Sequence, residues 1–271
     1  MNLTEELHLA TELARTAGAL VAEQYGKVDR LVKRHNEAVT EADRASQRLI
    51  VSGLRKKFPG DGIVGEENET GDAITFDVPK PSGRNWVIDP IDGTNNFLAG
   101  LGIFAVCIGL LEAGQPVLGV VYDVTRDKLF AAARGQGAWL GSQRLSVNKT
   151  PLGDSPMLML TSNLLGPDKK APAYARRWLD QTNWKIRMLG SAAMEAMQVA
   201  TGVAHGAITL NGKLWDVAAP AAVVIEAGGI VTDPRGEPIF PFDLTGYTGG
   251  KVPYLMAGPA AHPELLSDMR R

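Results

Sequence analysis

Twelve residues, Trp86-Val87-Ile88-Asp89-Pro90-Ile91-Asp92-Gly93-Thr94-Asn95-Asn96-Phe97, constrain this chain more than any other stretch. Trp86-Val87-Ile88 reads as the end of a buried strand, and Gly93-Thr94-Asn95-Asn96 suits a turn into a helix. Pro90 has no N–H to donate, so it is expected to stop the strand ladder and let Asp89 and Asp92 leave the strand end together. Two carboxylates that close repel by about 4 kcal/mol at roughly 4 Å and an effective dielectric near ~20. A hard divalent cation with oxygen ligands offsets that repulsion. The Gly-Thr-Asn step offers backbone N–H groups at a helix start, where an anion binds well. The stretch therefore predicts metal ions and a phosphate side by side.

At 271 residues the chain can bury a sizeable core as one large domain or two smaller ones. A net charge of -2 and the lack of a basic run give no reason to expect nucleic acid as a partner. Cys107 is the only cysteine, so no intrachain disulfide can form, and a reducing, cytoplasmic setting is expected. With Glu5, Glu6 and Glu12 in its first residues, the N-terminal stretch is not expected to be a secretory signal. Apolar runs are broken well short of the ~18 residues of a membrane span, so no membrane partner is expected.

Strand and helix signals alternate along the chain, which predicts α/β or α+β layers with helices covering sheets. Residues 3–25 form one amphipathic pattern, with Asn2 and Glu5 placed for a capping box. A ribbon or hairpin is expected over 28–39, a helix from Glu41 to Lys57, and a short strand Ile63-Val64 that delivers Gly65-Glu66-Glu67. Residues 68–83 read as a surface loop. Strands over Phe104–Leu111, Pro116–Tyr122 and Lys128–Ala133 follow. Thr150-Pro151-Leu152-Gly153-Asp154 is the best linker, which divides the chain into an N-terminal α+β domain, 1–150, and a C-terminal α/β domain, 151–271. In the second part, Gly190-Ser191-Ala192-Ala193 opens one helix and Trp215-Asp216 another.

Three acidic stations stand at element ends, where open α/β sheets gather ligands: Glu66, the Asp89/Asp92 pair and Asp216. Each has a plain structural reading when taken alone. Glu66 can be half of a solvated Glu66-Glu67 pair, Asp89 a turn residue before proline, and Asp92 and Asp216 helix N-caps worth roughly 1 kcal/mol each. None of His8, His35, His205 and His262 has metal-like spacing to another, and Cys107 reads as core filler. Ser191 is not a nucleophile elbow, since no Gly-x-Ser-x-Gly is present, and reads better as a helix N-cap.

The joint pattern resembles the inositol monophosphatase family of magnesium-dependent, often lithium-sensitive phosphatases. Gly65-Glu66-Glu67, Asp89-Pro90-Ile91-Asp92-Gly93-Thr94 and Trp215-Asp216-Val217-Ala218-Ala219 with Glu226-Ala227-Gly228-Gly229 are similar to its signatures in order and spacing. Thr40-Glu41-Ala42-Asp43, with Lys33 upstream, resembles an earlier element, and Gly190-Ser191-Ala192-Ala193 a substrate-side turn. The resemblance implies a layered αβαβα sandwich of the sugar-phosphatase type and hydrolysis of small phosphate monoesters by a metal-activated water. It implies Mg²⁺, two or three per site, held by Glu66, Asp89, the Ile91 carbonyl, Asp92 and Asp216. Mn²⁺ would substitute and Li⁺ inhibit. Glu66 and Thr94 would orient the water, with Asp43 supporting Thr94. Asp92, Gly93, Thr94, Gly190, Ser191, Ala192, Thr209 and Asp216 would face the substrate, and a homodimer would be the usual state.

Family enzymes that act on inositol phosphate often carry a glutamate seven positions before the Trp-Asp aspartate. Here that position is Thr209, which hydrogen-bonds without charge. A sugar phosphate, fructose 1,6-bisphosphate or 3′-phosphoadenosine 5′-phosphate therefore stands beside inositol monophosphate as substrate, while histidinol phosphate is less favoured. A competing class is a non-catalytic regulatory protein that keeps the metal site to sense a phosphorylated ligand.

Overall fold

The computed structural model describes residues 3–27, 31–32, 38–67, 75–76, 83–162, 170–181 and 183–271. In chain order the first half holds α1 (Thr4–Gln24), β1 (Leu31–Val32), β2 (Ala38–Val39), α2 (Glu41–Lys57), β3 (Gly62–Gly65), β4 (Thr75–Phe76), β5 (Arg84–Asp92), α3 (Thr94–Ala99), β6 (Ala105–Glu112), β7 (Gln115–Asp123), β8 (Lys128–Ala133), β9 (Gly137–Leu140) and β10 (Gln143–Arg144). The second half holds β11 (Met157–Leu160), α4 (Ala173–Asp180), β12 (Lys185–Arg187), α5 (Ala192–Ala200), β13 (Gly206–Thr209), α6 (Leu214–Glu226), β14 (Ile230–Thr232), β15 (Tyr254–Ala257) and α7 (Ala261–Met269).

Period-two alternation in the strands builds five layers. The first sheet runs β10-β9-β8-β7-β6-β5-β3-β4, antiparallel except where β3 lies parallel to β5. Trp86, Ile88, Val106 and Ile108 on one face pack with Ala10, Ala14, Ile50 and Leu54 of α1 and α2. Val87, Cys107 and Val121 on the other face pack with α5 and α6. The same cluster includes Met159, Ala207 and Met256 of the second sheet, whose order is β12-β11-β13-β15-β14. Leu158, Ile208 and Leu255 face the opposite way, onto Tyr174 and Trp178 of α4 and Leu265 of α7. The order helix–sheet–helix–sheet–helix is the layered sandwich that the family resemblance implied.

Close approach of α6 to the first sheet depends on a cross-strand glycine pair, Gly109 and Gly119. A Cβ on Gly109 would lie 2.9 Å from the Ala219 N, and one on Gly119 would collide with the Ala219 carbonyl oxygen. Backbone cannot yield as a side-chain tip can, so Gly119→Val is expected to cost about 1–3 kcal/mol by overpacking. Because α6 carries Asp216, site assembly should fall with it. An unchanged urea-unfolding midpoint would refute this account of the helix–sheet contact.

The strand around Pro90 corrects one expectation. The ladder does not stop there; β5 continues through Asp92. Asp89 pairs with Cys107 and Asp92 with Ala105, so the register shifts between them. Two residues of β5 fall in the interval that one residue of β6 spans. Such a bulge leaves backbone groups out of the ladder, so Pro90 costs no inter-strand bond. The Asp89 Oδ1 accepts from the Ile91 N at 3.1 Å and closes the bulge locally. The two carboxylates are thus brought together within the strand, not past its end.

The expected ribbon is present as β1 paired with β2. Asn2 and Lys33 lie outside the described residues, as does most of 68–83, within which Thr75–Phe76 pairs with β3 as strand β4. Among the described residues no helix is long and apolar enough to cross a membrane.

Candidate active site

Helix α2 sets the first wall of the site. Thr40 is its N-cap, and the Asp43 Oδ2 returns bonds from the Thr40 N at 2.7 Å and the Thr40 Oγ1 at 2.5 Å. This capping box turns the buried Asp43 carboxyl so that its other oxygen, Oδ1, accepts from the Thr94 Oγ1 at 3.2 Å. The Thr94 hydroxyl also lies 3.0 Å from the Ile91 carbonyl. Both neighbours are acceptors, so the hydroxyl spends its one proton on this side and presents lone pairs elsewhere. One turn along α2, the Ser46 Oγ donates to the Pro90 carbonyl at 3.1 Å and supports the bulge from below.

Three acids from two distant segments converge, Asp89 and Asp92 from β5 and Asp216 from α6. Ligand oxygens of Asp89, Asp92 and Asp216 lie within 4.8 Å of one another. Asp216 reaches them from the first turn of α6, where its Oδ2 accepts from the Lys213 N at 2.6 Å. Glu66 stands at the end of β3, and its N–H donates to the Ile88 carbonyl at 3.2 Å, one ladder step from Asp89. Burial pushes the Asp89 carboxyl well above its ordinary range, and the charges of Glu66, Asp92 and Asp216 add to the effect. Lost hydration pushes Asp216 up to about 8, with Asp92 and Glu66 contributing next. Asp92 is pushed up to about 6 by burial, opposed by the hydrogen bonds it accepts. Buried acids clustered this tightly suit a divalent ion, and an all-oxygen set suits a hard one such as Mg²⁺. The Ile91 carbonyl lies in the bulge between two of the acids.

Asp92 also joins the two halves of the chain. Its Oδ2 accepts from the Ser191 Oγ and from the Ala193 N at 3.0 Å, and its Oδ1 from the Ala192 N at 3.2 Å. Ser191 is the N-cap of α5, as the sequence suggests, and its Oγ accepts from the Met194 N at 3.2 Å. The N-terminus of α5 therefore holds an aspartate from 99–101 residues upstream, and Ser191 and Ala192 are engaged with it. Gly93, with φ +93°, allows the approach: a Cβ there would meet the Ile103 carbonyl oxygen at 3.0 Å and the Ser191 Cβ at 3.1 Å. The amides of Gly93 and Thr94 precede the first intrahelical bonds of α3, which return to the Gly93 carbonyl. Thr209 is buried at the end of β13, and a Cβ on Gly212 would lie 2.9 Å from its Cγ2 and 3.6 Å from the Asp216 Oδ2.

This constellation can be set beside known proteins. The model of the family described as "Inositol monophosphatase family" matches residues 2–270. The chain belongs to the inositol monophosphatase family. It is 37% identical over 239 residues to Nus factor SuhB of Pasteurella multocida (strain Pm70), covering 85% of each chain. It is 35% identical over 237 residues to fructose-1,6-bisphosphatase/inositol-1-monophosphatase of Thermotoga maritima, covering 86% of each. Among solved structures, extragenic suppressor protein suhB of Bartonella henselae superposes with a TM-score of 0.86 at 28% identity, over 99% of both chains. The inositol monophosphatase family is one of phosphatases that generally use Mg²⁺, and the acidic cluster here is compatible with that metal.

Several supporting residues in this family member escaped sequence reasoning. The Gln47 side chain bonds both the N–H and the carbonyl of Glu67. Glu195 is buried, and its Oε1 accepts from the Leu189 N at 2.8 Å and the Gly190 N at 3.2 Å, holding the turn that opens α5. Burial pushes its carboxyl up to about 8. The Asn96 Nδ2 donates to the Leu189 carbonyl at 2.7 Å and the Ile103 carbonyl at 2.8 Å. Only Glu195 carried a signal in the sequence, a charged residue among the apolar positions of α5. Cys107 pairs with Asp89 across the ladder and is buried, in keeping with its reading as core filler.

Proposed function

We propose that this chain is a Mg²⁺-dependent phosphatase of small phosphate monoesters, inositol monophosphate-like polyol or sugar phosphates. The convergence of Asp89, Asp92 and Asp216 within 4.8 Å, beside the Thr94–Asp43 hydrogen bond, carries the reading. Glu66, Asp89, the Ile91 carbonyl, Asp92 and Asp216 would hold the metal. Bound Mg²⁺ would supply Lewis-acid stabilisation of charge on the phosphate and leaving oxygens and would lower the pKa of the attacking water.

The protein's own groups then have definite tasks. The Gly93 and Thr94 amides would receive phosphate oxygens at the start of α3. Thr94, its proton directed to Asp43 or Ile91, would accept a hydrogen bond from the water, and the Glu66 carboxylate would take the water's proton. The water oxygen would bond phosphorus as the ester P–O bond breaks, and the released alkoxide would take up a proton from solvent, to which Glu66 returns the one it accepted. Gly190, Ser191, Ala192 and Thr209 would stand on the side of the alcohol portion, Ser191 and Ala192 acting there through their bonds to Asp92. The neutral Thr209 suits a hydroxylated, uncharged alcohol portion. The division at 1–150 and 151–271 is proposed on the same footing, with the substrate between the two parts.

A substrate panel tests this: myo-inositol 1-phosphate, fructose 1,6-bisphosphate and 3′-phosphoadenosine 5′-phosphate, each with Mg²⁺ or Mn²⁺ and with Li⁺ added to each positive. Phosphate release that requires the divalent ion is the expected result. Silence across the panel would sink the reading. The relatives named Nus factor SuhB favour a second reading, a regulatory protein built on the same site. Tight binding of a phosphorylated ligand without turnover would support that reading over catalysis.

A further inference from the structure

We propose that Gln47 is a positioning residue for Glu66, a role that rests on the phosphatase reading above. A buried amide is costly unless its donor and acceptor are both engaged. Gln47, 4% exposed, meets that demand on a single residue: its Oε1 accepts from the Glu67 N at 2.9 Å, and its Nε2 donates to the Glu67 carbonyl. Those are the two backbone groups that a neighbouring strand would take up. The side chain therefore acts as one rung of a ladder, extended from a helix.

The place of that rung matters. Strand β3 pairs with β4 through Gly65 and with β5 through the Glu66 N–H, which donates to the Ile88 carbonyl. The Glu66 N–H bond to β5 holds the peptide unit before Glu66, and the Glu67 N–H bond to Gln47 holds the unit after it, so the direction in which the Glu66 carboxylate leaves the chain is set. Gly65 is shaped to the same contact. A Cβ there would come within 2.6 Å of the Gln47 Oε1 and 2.7 Å of its Cδ, so only glycine lets the amide lie flat on the strand. Asp43 and Ser46 on the same helix engage Thr94 and the Pro90 carbonyl. Helix α2 thus registers Glu66 against Asp89 and Asp92 through the polar face of one rigid element.

Gln47→Leu keeps the bulk and removes both bonds. Its expected effect is a 10–100-fold loss of Mg²⁺ affinity or of kcat, the range typical when a partner behind a metal ligand is lost. KM for myo-inositol 1-phosphate should stay within about two-fold, because the proposed alcohol-side groups lie in the other half of the chain. The test uses the full chain: Mg²⁺ titration by calorimetry, kcat and KM separately, and hydrogen exchange at the Glu67 amide, which should quicken. Gly65→Ala displaces the same amide while Gln47 itself is kept, should reproduce the pattern, and carries the test if Gln47→Leu fails to fold. Wild-type Mg²⁺ affinity, kcat and Glu67 exchange in a folded Gln47→Leu protein would overturn the inference and leave the phosphatase reading intact. A parent protein that neither binds Mg²⁺ nor hydrolyses any ester overturns that reading, and this inference with it.

Discussion

Asp92→Asn is expected to lower Mg²⁺-dependent phosphate release by at least about 10²–10³-fold, the loss typical when one preorganised electrostatic group is removed from a dry site. The substitution keeps shape and removes charge, so the loss measures what the carboxylate contributes to holding the metal. Its structural cost is real as well. The carboxylate accepts from the Ser191 Oγ and the Ala192 and Ala193 amides, whereas an asparagine turns an NH₂ group toward some of those donors. A mispaired buried donor costs about 1–3 kcal/mol. Relief of repulsion from Glu66, which helps raise Asp92, works in the opposite direction. The variant should therefore fold, with a modest change in Tm, and the kinetic defect should far exceed the stability change. Circular dichroism and thermal unfolding, read beside the phosphate assay, check both parts. Retained activity would refute the assignment of Asp92 to the metal.

The second large effect is on stability and comes from pH and metal together. Burial raises Asp92 from the ordinary value 3.8 to about 6 and Asp216 from 3.8 to about 8, and shifts Asp89 in the same direction. Buried Glu195 is raised from 4.5 to about 8. The folded chain thus holds these protons more tightly than the unfolded chain. In metal-free protein their stabilising contribution is fully present below about pH 4, near the unfolded values, and is lost as pH rises through 6 and 8. In the presence of EDTA, Tm should fall from pH 5 to pH 8. Mg²⁺ requires the ionised acids, so it should raise Tm, and by more at pH 8 than at pH 5. At one hundred times Kd a single bound ion stabilises by about 2.7 kcal/mol. For a chain of this size that corresponds to roughly 5–10 °C. Thermal-shift curves at three pH values, with and without Mg²⁺, decide the matter. A metal-free Tm that climbs with pH, and no shift on adding Mg²⁺, would contradict the proposed site.

Legibility in the sequence followed the range of the interactions. Helix α2 is present over Glu41–Lys57 as the sequence indicates, because its start depends on Thr40 and Asp43, three residues apart. The strands leading to Glu66 and Asp89, and the N-cap at Ser191, were readable from neighbours within a few positions. The bulge at Pro90 was not. A proline before a turn looks locally like a strand end, and only the register of β6 opposite shows that the strand continues. Ser46, Gln47 and Asn96 were silent, and the lone charge of Glu195 on an apolar helix did not disclose its partners. Their partners lie on other elements, as with Asn96 and Leu189, 93 residues apart, or in the backbone of a turn, as with Glu195.

The residue types alone determined the chemistry available to this protein. Carboxylates at element ends, a Gly-Thr turn after them, and histidines without metal-like spacing suit a hard cation and a phosphate over soft-metal or imidazole chemistry. Only the tertiary structure decided that Asp89, Asp92 and Asp216 share one space, that Asp92 is held by the N-terminus of α5, and that α2 supports both Thr94 and the Glu66 segment. A carboxylate's affinity for a cation is a local property. Convergence is set by the glycine pair under α6, the bulge in β5 and the polar face of α2, where distant elements meet at fixed register.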